Sequence, residues 1–198
     1  YNVGIAEQNA MSVAAGLALT GRRVFVVGIA NFVTLRCFEQ IRNDIAMMNL
    51  PVTILASGTG YFYGEDGPTH HMTDNLTIMR TLPNFTFWCP SSFQMAASLI
   101  HEAYKEKGPN CIWFDRGPFY PLGEHYDEDF SKGVNVIKSG HDAIIVSFGI
   151  MVGEAFKISA ALKKFVIDVG VIDLYRLKPL IKSLLLEAFK KTKRIVTL

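Results

Sequence analysis

The residues best equipped for chemistry cluster in one stretch, GEDGPTHH from Gly64 to His71. It sets two acids, two glycines, a proline and two histidines between the strand-like VTILAS and the helix-like TDNLTIMR. Adjacent histidines do not easily face one small ion, and no HxxxH or CxxC spacing occurs. A metal site drawn from Glu65, Asp66, His70, His71 and Asp74 is therefore the weaker reading. The better one is an ordered loop at the carboxyl end of a parallel strand, where open α/β sheets bind ligands. Gly64, Gly67 and Pro68 then shape the turn, and Asp66 and His70 converge on a polar substrate. The plain alternative for a loop histidine is a solvated turn residue.

Two more positions belong with this loop. Glu7 starts a helical stretch, EQNAMSVAAGLALTG, that is small or apolar on nearly every side through Ala10, Ala14, Ala15, Gly16 and Ala18. A buried, closely packed helix is expected. Its dipole favours the Glu7 anion while burial favours the acid, so the carboxyl either titrates unusually or simply complements the helix start. Gln8 and Asn9 are candidate packing polar groups beside it. Arg116, in WFDRGPF, follows an apolar strand, where its planar fork suits a substrate phosphate or carboxylate; a salt bridge to Asp115 is the alternative.

The elements that must position these groups alternate along the chain. RRVFVVGI (22–29), PVTILAS (51–57), FTFWCP (85–90) and NCIWF (110–114) read as short strands. NFVTLRCFEQIRNDIAMMN and SSFQMAASLIHEAYKEKG carry apolar residues at helical spacing and end at Asn49 and Gly108. That alternation predicts a parallel sheet covered on both faces. Residues 117–133 are rich in Gly, Pro and acids and read as a linker. A second, smaller α/β unit follows, in VNVIKSG, DAIIVSFG, MVGEAFKISAALKK, VIDVGVIDLYRLKP and LIKSLLLEAFKKT. The boundaries expected are 1–122 and 123–198. Both ends read as cut: YNVGIAEQ resembles a strand running into a helix, and KRIVTL stops inside a β run.

Composition narrows the class. The 198 residues are 49% hydrophobic and 19% charged, with a net charge of +2 and no basic block, which points to a globular protein and away from nucleic acid or a membrane surface. The three cysteines, Cys37, Cys89 and Cys111, are odd in number and lie among apolar neighbours, as reduced core thiols do. No stretch is apolar for long enough to span a bilayer, and no signal peptide opens the chain, so a soluble, cytoplasmic protein is expected.

Taken in order and spacing, VGIAEQNAMSVAAGLA, FEQIRNDIA, GEDGPTHH, IMRTLPN and FDRG resemble the thiamine-diphosphate-dependent transketolase family, and VIDLYRLKPL with RIVTL continues the match. The resemblance implies a pyrimidine-binding domain with a thiamine-diphosphate-binding fold, followed by a smaller α/β transketolase C-terminal domain. It implies transfer of a two-carbon ketol unit from a ketose phosphate to an aldose phosphate, as in pentose phosphate metabolism. Glu7 matches the glutamate that hydrogen-bonds N1′ of the aminopyrimidine and promotes its imino tautomer. Phe32 matches the aromatic packed on that ring, with Ile29 and Leu35 making the pocket more aliphatic. Asp66 and His70 match residues that hold the donor's hydroxyls and, for His70, assist proton transfer; Arg116 matches the arginine that binds the sugar phosphate.

The departures carry implications too. Gly58 stands where full-length transketolases usually have a histidine near donor and cofactor, and His71 replaces a more familiar glutamine. The diphosphate domain with its GDG signature is absent, so the cofactor's diphosphate and its Mg²⁺ would be held by another chain or by a missing part. The implied arrangement is the C-terminal subunit or a fragment of a transketolase, joined to a diphosphate-binding partner and forming a homodimer through its pyrimidine-binding domain. A 1-deoxyxylulose-5-phosphate synthase fragment, sharing GIAEQ and DGPTH, is the near alternative. A 2-oxo acid dehydrogenase β-type subunit and a non-catalytic scaffold subunit are others.

Overall fold

The computed structural model describes residues 1–115, 117–121, 129–190, 192 and 194–198. The chain divides into two compact units, Tyr1–Trp88 with Ile100–Arg116, and Cys89–Leu99 with Gly117–Leu198.

The elements up to the linker are α1 (Glu7–Leu19), β1 (Val24–Ile29), α2 (Ala30–Thr34), α3 (Phe38–Gln40), β2 (Val52–Ser57), α4 (Asn75–Met79), β3 (Thr86–Trp88), α5 (Phe93–Lys105) and β4 (Asn110–Phe114). Strands β1-β2-β4-β3 lie side by side and parallel, with Val24 opposite Val52, Thr53 opposite Asn110 and Thr86 opposite Asn110. β2, β3 and β4 are almost wholly buried, which is why their sequences are apolar without alternation. Phe87 stacks between Phe85 and Trp113 at 5.3 and 5.4 Å.

Four expectations need correction. β1 is half-exposed and Val27 is 72% exposed, because among the described residues no strand pairs with its outer edge. Tyr1–Gly4 is not a strand: among the described residues it has no ladder partner, and Gly4 turns the chain at φ +74°. α1 buries only Met11, Ala14, Ala15 and Ala18, while Gln8, Asn9, Ser12, Val13, Gly16 and Leu19 are exposed, since the chain supplies a packing partner for one face alone. The helix expected over 31–49 is broken by a 3-10 turn at Leu35–Cys37 and a π-helical segment at Ile41–Ala46. Near the first break, the Thr34 hydroxyl donates to the Ala30 carbonyl at 2.6 Å and the Cys37 thiol to the Phe32 carbonyl at 3.1 Å, drawing on carbonyls of the preceding turns.

The second unit contains β5 (Asn135–Lys138), β6 (Ala143–Ser147), α6 (Met151–Leu162), β7 (Val169–Asp173), β8 (Arg176–Lys178), α7 (Lys182–Phe189) and β9 (Ile195–Thr197). Its sheet runs β5-β7-β6-β9; β6 is parallel to both neighbours and β5 is antiparallel to β7. One face carries Ile145, Val169 and Val171 against Val152 and Ala155 of α6, and the other carries Ile144, Val146 and Ile172 against Leu185 and Phe189 of α7. Residues 122–128 of the expected linker lie outside the described residues. Cys37, Cys89 and Cys111 are buried and outside any disulfide, as core thiols. No helix among the described residues is long and apolar enough to cross a membrane.

Candidate active site

Glu7 is the first residue of α1, preceded by Ala6, whose side chain offers no cap. The Glu7 carboxylate sits below its ordinary pKa. A hydrogen bond from the backbone at its own position contributes most, desolvation opposes it, and Arg36 adds a hydrogen bond and an opposite charge. The Arg36 guanidinium donates to Glu7 Oε2 at 2.8 Å, with the Glu7 side chain 18% exposed and that of Arg36 43% exposed. The sequence allowed an acid pushed either way; the pairing with Arg36 and the lowered pKa favour the anion. Behind the pair, the Cys37 thiol is pushed up to about 12 by burial and, second, by the charge of Glu7.

Arg36 also connects Glu7 to the aromatic residue expected beside it. Its guanidinium lies over the Phe32 ring, 4.0 Å from the centroid, and Phe32 meets the His70 ring edge-on at 4.8 Å and 65°. Glu7, Phe32 and His70, far apart in sequence, thus form one string through Arg36. Arg36 is not among the sequence expectations; its signal there is only the i+4 spacing from Phe32.

The loop carrying His70 is built as its composition suggests. Gly64–Asp66 makes a 3-10 turn, Gly67 turns at φ +78°, and the His70 N–H donates to the Gly67 carbonyl at 3.0 Å. Thr69 Oγ1 lies 3.1 Å from His70 Nδ1 and fixes one edge of the ring. The loop is tied to α2 from beneath. Asn31 Nδ2 donates to the Thr69 carbonyl at 2.6 Å, and Asn75 Nδ2 donates to Thr34 Oγ1 at 2.6 Å and Asn31 Oδ1 at 3.3 Å. Asn75 is 0% exposed, and its Oδ1 has no partner among the described residues. Asn31, Thr34 and Asn75 are further residues missed in sequence, where nothing distinguishes a buried amide from an exposed one.

Other expected groups are not drawn into the string. Asp66 is exposed, and among the described residues its carboxylate makes no hydrogen bond to His70. His71 packs edge-on against Tyr61 at 5.1 Å, with Nε2 buried and unpartnered among the described residues. Ile29 ends β1 and Leu35 starts the 3-10 turn after α2, both half-buried. Arg116 lies outside the described residues. Among the described residues no group of three His, Cys, Asp or Glu is arranged to hold a metal ion.

Residues 1–120 match the transketolase pyrimidine-binding domain and residues 132–198 the transketolase C-terminal domain. The chain belongs to the transketolase family. A Methanocaldococcus jannaschii protein provisionally named as a transketolase C-terminal section is 33% identical over 199 residues, covering 99% of this chain and 61% of that protein. A 1-deoxy-D-xylulose-5-phosphate synthase of Carboxydothermus hydrogenoformans is also 33% identical, over all of this chain but 32% of the synthase. Among solved structures, a split-gene transketolase described as an inactive β4 tetramer superposes with a TM-score of 0.88 at 36% identity, covering 100% of this chain and 64% of that one. The fold is therefore the one read from the sequence, and the chain spans only part of the proteins it matches.

Transketolases and the related synthases depend on thiamine diphosphate, and the residues at the start of α1 fit one end of it. An ionised, largely sheltered carboxylate suits a protonated ring nitrogen, and the Phe32 ring offers an aromatic surface on the same string. For the diphosphate end, the described residues present no arranged metal ligands.

Proposed function

We propose that this chain is the pyrimidine-binding and C-terminal portion of a transketolase, transferring a two-carbon ketol unit from a ketose phosphate to an aldose phosphate once a diphosphate-binding domain joins it. The observation that carries this reading is the Glu7–Arg36–Phe32–His70 string, opened by an ionised carboxylate at a helix start. When bound, thiamine diphosphate would supply the electron sink that such a transfer needs. Glu7 would accept a hydrogen bond from N1′ of the pyrimidine, and Phe32 would pack against the ring beside Ile29 and Leu35. Arg36 would add to the backbone bond in favouring the Glu7 anion until the cofactor arrives. His70, with one edge occupied by Thr69, would present its other nitrogen to a donor hydroxyl and move a proton there. Asp66, exposed on the same loop, would bind donor hydroxyls, and Arg116 the sugar phosphate.

The partner would be a diphosphate-binding transketolase chain or domain carrying the Mg²⁺. The open face of α1, from Gln8 through Ser12 and Gly16 to Leu19, is small enough for close packing against a second copy. The domain boundary near residue 122 belongs to the same proposal.

Reconstitution with a diphosphate-binding chain tests the reading. Ketol transfer between ketose and aldose phosphates is expected, with turnover lost in Glu7→Gln and the near-UV spectrum unchanged. Decarboxylation of pyruvate without ketol transfer would assign the chain to the synthase branch. Full activity of Glu7→Gln would overturn the role of Glu7.

A further inference from the structure

We propose that Tyr63 sets the size of donor that the site accepts, an inference that rests on the ketol-transfer reading above. Gly58 is the first residue beyond β2, at the carboxyl end of a central parallel strand, where ligands of open α/β sheets bind. Its N–H donates to the Phe114 carbonyl at 2.8 Å, so this peptide is held to the sheet, and its φ of +86° favours glycine. The room a side chain would take there is already filled. A Cβ on Gly58 would lie 2.1 Å from Tyr63 Cε2, 2.8 Å from Cδ2 and 3.1 Å from Cζ. The Cδ2–Cε2 edge of the Tyr63 ring therefore occupies the space beside Gly58 at the strand end.

The same ring flanks the histidine of the site. Tyr63 and His70 are 5.8 Å apart and inclined at 55°, and Phe32 meets His70 edge-on at 4.8 Å, so both aromatic rings neighbour the His70 imidazole. The segment that delivers Tyr63 is braced. Gly60 and Met72 exchange backbone hydrogen bonds of 3.1 and 2.8 Å, the Asp66 N–H donates to the Tyr63 carbonyl at 3.1 Å, and Phe62 abuts the Tyr63 ring at 5.7 Å and 89°. A ring held in this way acts as a fixed wall. A donor that reaches His70 from the β2 end must fit beside it, and no side chain at position 58 shares the task.

Removing that wall should enlarge the space and change relative preference. A pocket change of a methylene or more discriminates by about tenfold or above. In the enzyme reconstituted with its diphosphate-binding partner, kcat/KM is measured for a five-carbon and a seven-carbon ketose phosphate. Tyr63→Leu should raise the seven-to-five ratio by about tenfold, and Tyr63→Met should move it the same way by less. Tyr63→Phe keeps the ring and should leave the ratio within about threefold. An unchanged ratio in both the Leu and Met variants, or a shift in the Phe variant as large as in Leu, would overturn the wall. Calorimetric affinity for thiamine diphosphate should stay within about threefold in every variant; loss of cofactor binding in Tyr63→Phe would make Tyr63 a cofactor contact and also overturn the proposal. A wild-type enzyme inactive on all ketoses would instead remove the ketol-transfer reading beneath it.

Discussion

Asn75→Ala tests whether the buried amide is what ties the His70 loop to α2. The wild-type side chain is 0% exposed and donates hydrogen bonds of 2.6 Å to Thr34 Oγ1 and 3.3 Å to Asn31 Oδ1. Each is worth about 1 kcal/mol net, the longer one less. The Thr34 hydroxyl keeps its acceptor on Ala30, and half-buried Asn31 can recruit water, so neither partner pays the full cost of an orphaned buried group. The lost packing of a buried amide adds about 1 kcal/mol, giving a total of about 2–3 kcal/mol. Both tryptophans, Trp88 and Trp113, are buried in the first unit, so urea unfolding followed by fluorescence reports that unit. A loss below about 0.5 kcal/mol would refute the reasoning. Asn75→Asp separates hydrogen bonding from volume. Its carboxyl, buried and facing oxygens already committed elsewhere, takes a raised pKa in the folded state. Its stability relative to wild type is then best below the ordinary carboxylate range and is lost as pH rises through the raised value.

The remaining predictions concern Glu7 and the thiols. Arg36→Ala should move the Glu7 pKa part of the way up toward its ordinary value, because the backbone bond, the larger cause, remains; a carboxyl NMR titration reads it, and an unmoved midpoint would deny the ion pair any influence. In the wild type the lowered value makes the Glu7 contribution to stability fully present at neutral pH and lost as pH falls through the folded value. Cys37, Cys89 and Cys111 should resist a thiol-specific reagent at pH 8 and all react after denaturation; fast native labelling of Cys37 would contradict its burial and raised pKa.

Much of the fold was legible because strand burial writes itself into composition. β2, β3 and β4 are buried on both faces and read as unbroken apolar runs. β1 reads the same way yet lies open, since residue type records what a surface is suited to and not whether the chain in hand covers it. The same limit applies to α1, whose small residues predicted close packing on all sides and found it on one. The 3-10 break at Leu35–Cys37 lies where Thr34 and Cys37 reach carbonyls of the preceding turns, a matter of side-chain geometry that periodicity does not carry.

By itself the sequence determined the strand-and-helix alternation, the turn chemistry of Gly64–His71, and the candidacy of Glu7 and His70, because these follow from local residue type and spacing, while Phe32 was named only through the family resemblance. Only the tertiary structure decided that Arg36 joins Glu7 to Phe32, that Asn75 anchors the histidine loop through Asn31, and that Tyr63 fills the place of a side chain at Gly58. Such contacts join residues four to forty-four positions apart, and their geometry is set by how the folded elements come together.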